Sequence, residues 1–248
     1  MTIQAISFDL WDTLVVDDSD EAKRAAQGLR SKREERRYLT WQAVKEYSDL
    51  SLEQVTLGFD VLDAAFNKMW HDQFVTWPVD ERLAVLLKGL GCQLPEHEFR
   101  KLIDVQSQME VVIPPEAIDG VHAALENLSG RYRMCVVSDA VFTPGRCLRE
   151  LLAHHDLERF FEAFVFSDEA GRSKPHRSVF DAAAQKMCVP LANMVHIGDR
   201  QHNDVEGAHA VGMKAILFTA SRAIDEPGNT ADAVCGTYAE LPRIIDSL

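Results

Sequence analysis

Acidic or hydroxyl side chains follow four short apolar runs of this sequence. A carboxylate at the end of a buried strand is costly unless a cation, a phosphate or hydrogen-bond donors meet it. In open parallel sheets, ligands bind along the edge where the strands end. The repetition therefore predicts one shared polar site, and Asp9 is its first chemical candidate. The endings are Asp9 after Ala5 to Phe8, Ser138-Asp139 after Met134 to Val137, Ser167-Asp168 after Ala163 to Phe166, and Gly198-Asp199 after Met194 to Ile197.

The elements that must position these residues alternate between strand and helix from residue 114 onward. Such alternation implies right-handed crossovers and a parallel sheet, so we predict an α/β fold with a Rossmann-like parallel-sheet core. A final core strand is expected over Lys214 to Thr219, followed by a short strand at Ala233-Val234. Helices are expected over Asp119 to Leu128, Arg146 to His154, Ser178 to Lys186, Asp204 to Val211 and Tyr238 to Ser247.

Residues 17–113 carry almost no strand signal and show apolar residues at helical spacing. Asp80 to Leu90 and Pro95 to Met109 are predicted to be two of the helices there. We therefore predict an inserted all-helical cap over residues 17–113, with residues 1–16 and 114–248 forming the core domain. Pro114-Pro115 and the stretch from Val15 to Asp18 are the expected hinges.

The charged run from Ser31 to Arg37 has two interpretations. Its mixed signs favour a solvated helix face. The alternative places its arginines, Arg33, Arg36 and Arg37, over the site as an anion gate. Trp70 and Trp77, elsewhere in the helical insert, are interpreted as packing residues.

Composition excludes several classes of partner. The formal net charge is −13, from 26 Lys and Arg against 39 Asp and Glu, which argues against a nucleic-acid or anionic-membrane surface. A small anionic substrate held by a few local cations remains compatible with this charge. The five scattered cysteines, without a C-x-x-C pair, indicate reduced thiols. Without an apolar leader or an apolar run of about 18 residues, we expect a soluble, cytoplasmic protein, and a homodimer is left open.

Four motifs, in order along the chain, together resemble the haloacid dehalogenase-like hydrolase superfamily. Each motif alone is weak, but the ordered combination is specific and covers essentially the whole chain. The motifs are Asp9-Leu10-Trp11-Asp12-Thr13-Leu14, Ser138 after a strand, Lys174-Pro175, and Gly198-Asp199 continuing to Asp204.

The resemblance implies a role for each matched residue. Asp9 is similar to the family's nucleophile, which forms a covalent ester with the substrate. Asp199 and Asp204 resemble the acidic pair that holds Mg²⁺ beside it, with the main-chain carbonyl of Trp11 as a further ligand. Lys174 is expected to balance the negative charge of the nucleophile and substrate.

The remaining matched residues are expected to bind substrate oxygens. Ser138 would donate its hydroxyl, and backbone N–H groups after Asp9, at Leu10 and Trp11, and near Asp139 would complete an oxyanion cradle. Thr13 is expected to brace the loop by hydrogen bonding.

Two positions depart from the family's phosphatase pattern. Hydrolytic phosphatases of the family usually carry a second aspartate, a general acid and base, where this chain has Trp11. An indole N–H donates but cannot exchange a proton near neutral pH. We expect neither the adjacent Asp12 nor His202 to replace it fully. At Asp139 many relatives have asparagine, so this carboxylate is expected to turn away from the phosphate or to pair with Lys174 or Arg146.

The sequence thus favours a Mg²⁺-dependent phosphatase acting on a small phosphorylated metabolite. One alternative is a 2-haloacid dehalogenase, because such enzymes also place an aromatic residue at the Trp11 position and need no metal. Another is a catalytically weak relative that binds a phosphorylated ligand or a protein partner. The acidic pair Asp199 and Asp204 has little use in a metal-free dehalogenase, which ranks the phosphatase first.

Overall fold

A six-stranded parallel sheet forms the centre of the molecule, with strand order β3-β2-β1-β4-β5-β6. The computed structural model describes residues 2–248. This sheet confirms the predicted α/β fold class, and its strands match the predicted apolar runs within about a residue at each end. The strands are β1 (Ala5–Phe8), β2 (Arg133–Ser138), β3 (Ala163–Phe166), β4 (Met194–Gly198), β5 (Lys214–Phe218) and β6 (Ala233–Cys235).

The strands are apolar because both faces of the sheet are covered. Successive side chains of a strand point to opposite faces, and β1 shows the result. Ile6 and Phe8 pack into one buried apolar cluster, whereas Ala5 packs into another. The helices that cover the sheet are α7 (Val121–Ser129), α8 (Gly145–His154), α9 (Ser167–Ala170), α10 (Arg177–Met187), α11 (Gly207–Ala210) and α12 (Leu241–Asp246).

The chain between β1 and β2 forms mainly helices, and four of them, over residues 32–44, 52–73, 79–89 and 96–107, share an apolar cluster of their own. Two of them begin with capping boxes, Ser31 with Glu34 and Ser51 with Gln54, in which each residue of the pair satisfies a free backbone N–H of the other. The division of the chain into a core and a cap at residues 17 and 113 stays a prediction. The helices of this part of the chain are α1 (Ser19–Ala26), α2 (Lys32–Val44), α3 (Leu52–Gln73), α4 (Val79–Gly89), α5 (Glu96–Ser107) and α6 (Met109–Val112).

Three predicted helices have different limits in the structure. The helix expected over Pro95 to Met109 is divided into α5 and α6, and the last helix begins at Leu241 instead of Tyr238. The helix expected from Asp204 begins earlier, as a π-helical turn over Gln201–Glu206, and continues as α11. π-turns are rare and frequently mark functional sites.

The interpretation of Ser31 to Arg37 as a solvated helix face holds for Arg33 and Glu34, which are exposed. It is wrong for Lys32, Arg36 and Arg37, which are all buried. The Nζ of Lys32 lies 2.7–2.9 Å from carboxylate oxygens of Asp18, Asp20 and Glu110. A buried ammonium is tolerated only when it is paired, and tertiary contacts from distant residues supply the pairing here.

Backbone and side-chain hydrogen bonds connect these helices to the loops at the sheet edge. The N–H of Ser173 donates to the carbonyl of Phe74 at 2.9 Å, and Arg172 Nη1 donates to the carbonyl of Gln73 at 2.8 Å. Arg82 Nη1 donates to the carbonyl of Val141 at 2.9 Å. The helices between β1 and β2 are thereby attached to the loops that follow β2 and α9.

The predictions about the cysteines and about membrane-spanning segments can be compared with the structure. The five cysteines are free thiols, and four of them are buried while Cys188 is exposed. Over residues 2–248, the helices lack the combination of length and apolarity that crossing a membrane requires.

Candidate active site

The candidate site lies at the carboxyl ends of β1 and β4, two adjacent strands in the middle of the sheet. The strand order reverses between them, because the chain continues from β1 to β2 on one side and later returns to β4 on the other. Such a switch point leaves a crevice in which ligands bind. A cavity of about 450 Å³ lies there, with Asp9, Trp11 and Lys174 among its lining residues.

Three buried carboxylates meet at this edge. One carboxylate oxygen from each of Asp9, Asp199 and Asp204 lies within 4.8 Å of the other two. Three such oxygens, all out of water, match the ligands that hard divalent cations such as Mg²⁺ prefer. The donor set therefore fits the predicted magnesium ion.

Lys174 is inserted among these carboxylates. Its Nζ lies 2.6 Å from Asp9 Oδ1 and 2.6 Å from Asp204 Oδ1. Burial by itself disfavours the ammonium, but Asp204 and Asp9 outweigh burial and raise the pKa of Lys174. Lys174 is therefore a fixed positive charge beside Asp9, as the resemblance implied.

Gly198, the last residue of β4, is required by the close approach of Asp204. A Cβ at Gly198 would lie 2.2 Å from Asp204 Cγ, far inside contact distance. The Oδ2 of this carboxylate accepts from the backbone N–H of Arg200 at 2.9 Å. The π-helical turn thus folds Asp204 back onto the end of β4.

Two buried polar residues that the sequence did not predict to belong to the site, His196 and Ser7, form a chain of contacts to Asp204. His196 Nε2 lies 3.1 Å from Asp204 Oδ1, and its Nδ1 lies 2.8 Å from Ser7 Oγ. Burial lowers the pKa of His196, which favours the neutral imidazole. The available signal was a histidine and a serine at facing positions of two otherwise apolar strands.

The two metal-site aspartates have opposite acidities. Burial, followed by repulsion from Asp204 and Asp9, raises the pKa of Asp199 to about 8. Burial also disfavours the charged form of Asp204, but Lys174 and the hydrogen bond from His196 outweigh it and hold the pKa of Asp204 below its usual range. The crowding of negative charge at Asp199 is what a divalent cation would relieve.

Arg222 is another residue of the site that the sequence did not reveal. Its Nη1 donates to the main-chain carbonyl of Asp199 at 3.1 Å and lies 3.2 Å from Asp199 Oδ2. It also pairs with Asp225 at 2.7 Å. A lone arginine in a loop after β5 carries no motif, so only the fold places it here.

Asp139 bonds to the backbone of the lysine loop, residues 171–176, and within residues 2–248 it forms neither of the expected ion pairs, with the Lys174 ammonium or with Arg146. Its Oδ1 accepts from the N–H of Lys174 at 2.9 Å, and its Oδ2 accepts from Asn203 Nδ2 at 3.3 Å. Arg146, the other expected partner, pairs with Asp104 instead. Asp139 still lines the cavity.

We expect Asp139→Asn to stabilise the protein at alkaline pH. Burial raises the pKa of Asp139 to about 7, while Lys174 opposes the shift. Ionisation of this carboxyl therefore costs folding free energy, and the cost grows as the pH rises from about 4 to about 7 and is constant above. The neutral amide should add about 1–3 kcal/mol at pH 8 and almost nothing near pH 4.

Thermal and urea unfolding in EDTA at pH 4, 6 and 8 measures this difference. The amide oxygen of the variant can keep the bond from Lys174, and Asn203 can rotate its own amide to accept from the new NH₂. A variant that is less stable than the parent at pH 8 contradicts the expectation.

The hydroxyl groups of Ser138 and Thr13, which the sequence predicts to bind substrate and to brace the loop, are both buried. Ser138 Oγ is buried and has no hydrogen-bond partner in the described chain, so it is available to a substrate oxygen. Thr13 Oγ1 is likewise without a partner among residues 2–248, and its predicted bracing hydrogen bond is therefore wrong. Its main-chain carbonyl instead accepts from the hydroxyl of Tyr238. Leu10 is buried in the apolar core beneath the loop.

Trp11 occupies the wall of the cavity and packs partly against the core. Its neighbour Asp12 accepts a hydrogen bond from Ser221 Oγ at 2.6 Å and one from the N–H of Asp17, so its carboxylate is committed elsewhere, as expected. His202 is exposed, pairs with Glu206 at 3.0 Å and does not line the cavity. Neither residue is positioned to replace the missing second aspartate.

Comparisons with known proteins agree with this geometry. The chain matches a family model described as haloacid dehalogenase-like hydrolase over residues 3–212. Haloacid dehalogenase-like hydrolase domain-containing protein 3 of Xenopus laevis is 37% identical over 102 residues, which are 41% of this chain and 40% of that protein. Glyceraldehyde 3-phosphate phosphatase of Pyrococcus furiosus is 28% identical over 110 residues, which are 44% of this chain and 46% of the phosphatase. Each alignment thus spans less than half of the relative.

A solved structure resembles the whole chain. The HAD-hydrolase YfnB from Bacillus subtilis, bound to magnesium, aligns with a TM-score of 0.62 and 16% identity, over 99% of this chain and 100% of that one. At this identity the likeness shows the fold alone. Because the family model spans most of the sequence and the acidic motifs meet at one site, this chain belongs to the haloacid dehalogenase-like hydrolases and is an enzyme of that family.

Proposed function

We propose that this hydrolase is a Mg²⁺-dependent phosphatase that acts on a small phosphorylated metabolite through an aspartyl-phosphate intermediate. The observation that carries the proposal is the convergence of Asp9, Asp199 and Asp204 within 4.8 Å of one another. With the main-chain carbonyl of Trp11, these carboxylates would hold Mg²⁺, which supplies positive charge to the phosphoryl oxygens when bound. The similarity to a glyceraldehyde 3-phosphate phosphatase supports the substrate class.

In the proposed reaction, Asp9, Lys174 and Ser138 have separate roles. A carboxylate oxygen of Asp9 attacks phosphorus, and the bond from phosphorus to the ester oxygen breaks, leaving the phosphoryl group on Asp9. Lys174, held at 2.6 Å from Asp9, neutralises charge at this centre. The unpartnered hydroxyl of Ser138 donates to a phosphoryl oxygen. Attack of water on phosphorus then breaks its bond to Asp9 and releases inorganic phosphate.

Proton transfer is the weak part of this site. The leaving oxygen needs a proton in the first step and water must lose one in the second, and Trp11 can do neither. Without a positioned acid and base, such reactions typically lose about 10²–10⁴ in rate. We therefore expect slow turnover of alkyl phosphates and faster turnover of esters with acidic leaving groups.

One experiment separates the phosphatase from its alternatives. Purified protein would be incubated with p-nitrophenyl phosphate, glyceraldehyde 3-phosphate and 2-chloropropionate, each with Mg²⁺ and with EDTA, and phosphate and chloride release would be measured. Phosphate release that requires Mg²⁺ supports the proposal. Chloride release that persists in EDTA, without phosphate release, contradicts it and favours the dehalogenase. Absence of both reactions contradicts it in favour of a binding protein.

A further inference from the structure

Arg36, on helix α2, is a buried arginine without the partner that such residues need. It is only 7% exposed and lines the same cavity as Asp9. Its Nη2 has no hydrogen-bond partner within residues 2–248. An unpaired buried guanidinium is strongly disfavoured, and burial indeed lowers the pKa of Arg36 from its ordinary value.

The other buried arginines of the helical segment show what a structural role looks like. Arg24 donates to the carbonyl of Arg30 at 2.9 Å. Arg37 pairs with Asp60 and Asp63, and Arg82 pairs with Asp63 and with the carbonyl of Val141. No comparable bond is found for Arg36 in the described part of the chain. Its guanidinium instead stacks on the ring of Phe142, 4.3 Å from the ring centroid.

A second unsatisfied donor lines the cavity with Arg36. The indole Nε1 of Trp70, on helix α3, is buried and has no acceptor among residues 2–248. A buried donor without an acceptor costs about 1–3 kcal/mol. Two such donors around one cavity indicate that a ligand, instead of the protein, provides their acceptor.

The chemistry of these donors narrows the ligand group. Guanidinium and indole N–H groups donate and cannot accept, so the group they meet must be an acceptor. The planar fork of arginine matches a carboxylate. The other cap cations of the cavity wall, Lys32, Arg33 and Arg37, are already paired with carboxylates. Glu110 and Asp63 lie near enough to oppose the effect of burial on the pKa of Arg36, but neither forms a hydrogen bond with its Nη2. A single guanidinium in this setting fits one carboxylate better than a second phosphate dianion.

We infer that the substrate carries a carboxylate in addition to its phosphate, and that Arg36 and Trp70 bind that carboxylate while the phosphate lies against Asp9 and Lys174. The inference rests on the proposed phosphatase function and adds its substrate class, the phosphorylated carboxylic acids. A cavity of about 450 Å³ is of the size that encloses small ligands.

Two phosphate esters that differ at one end test this assignment. 3-Phosphoglycerate ends in a carboxylate where glycerol 3-phosphate ends in a hydroxymethyl group. The parent protein should prefer 3-phosphoglycerate in kcat/KM by about 10–100-fold, the discrimination expected of a charge-assisted hydrogen bond. Arg36→Met should reduce that preference to near one, and Trp70→Phe should reduce it several-fold.

Matched variants separate recognition from folding. Arg100→Met removes an exposed arginine of helix α5 that does not line the cavity, and it should keep the preference. Arg36→Lys retains the charge without the planar fork and should give an intermediate preference, so a variant that folds is available even if Arg36→Met unfolds. Circular dichroism and thermal unfolding establish that each variant is folded.

A binding measurement gives a second readout that does not depend on turnover. Titration calorimetry of 3-phosphoglycerate into the Asp9→Asn protein with Mg²⁺ should show about 10–100-fold weaker binding after Arg36→Met. If both esters are hydrolysed and Arg36→Met leaves their ratio and this affinity unchanged, the carboxylate assignment is overturned and the phosphatase stands. If no phosphate ester is hydrolysed or bound, the proposed function itself fails.

Discussion

Replacement of Asp9 by asparagine will abolish phosphate release while leaving the fold intact. The amide keeps the size of the carboxylate but cannot form the phosphoryl ester, and loss of a nucleophile typically costs at least about 10⁴ in kcat. The assay is phosphate release from p-nitrophenyl phosphate at saturating Mg²⁺. Circular dichroism and thermal unfolding check that the protein remains folded.

Asp12→Asn is the matched control for this variant. Asp12 lies three residues further along the same loop and has a left-handed backbone, with φ of 52°, a conformation that asparagine tolerates well. Its Oδ1 accepts from Ser221 and Asp17, and an amide oxygen can accept the same bonds. We expect activity within about threefold of the parent, since surface substitutions usually change little. Equal losses of activity in the two variants would show that the loss in Asp9→Asn is not caused by removal of the nucleophile.

Lys174→Met will remove both activity and a large part of the stability. The substitution leaves Asp9 and Asp204, both buried, without the ammonium that lies 2.6 Å from each. Breaking a buried ion pair by removing one partner costs about 3–5 kcal/mol. Urea unfolding in EDTA measures that loss, and phosphate release should fall by at least about 10²–10³.

Lys101→Met provides the comparison for this variant. Lys101 is exposed on helix α5, so the same chemical change should alter stability by less than about 0.5 kcal/mol. A further contrast comes from Mg²⁺, which should restore more stability to Lys174→Met than to the parent because it neutralises the same carboxylates. If Lys174→Met unfolds at the same urea concentration as the parent in EDTA, the ammonium does not hold the carboxylates together.

Local sequence was sufficient to predict the sheet and the acidic residues at its edge. The apolar runs before Asp9 and Asp199 are short, continuous and bounded by turn residues, and such a pattern has few alternatives to a buried strand. Parallel pairing then brings the strand ends to one edge. Lys174 could be placed only through the resemblance, because a lysine before a proline has no distinctive local pattern.

The charges of helix α2 could not be interpreted locally. Whether Lys32 and Arg36 face solvent depends on Asp20, Glu110 and Phe142, which lie elsewhere in the chain. Mixed charge at helical spacing is equally compatible with exposure and with buried pairing. The same applies to Trp70, for which the sequence indicates packing, whereas the residue lines the cavity and its indole N–H has no partner within residues 2–248.

Hydrogen bonds attach helices α3 and α4 to the loops at the sheet edge, and this attachment affects how a ligand reaches Asp9. The three hydrogen bonds from Ser173, Arg172 and Arg82 must break if the helices lift away, and at about 0.5–1.5 kcal/mol each they would keep the lifted state a small minority. Two of them originate next to Lys174 in the chain. Lifting the helices would therefore also remove two bonds that hold the residues before Lys174, so the opening of the cavity and the position of the lysine are coupled.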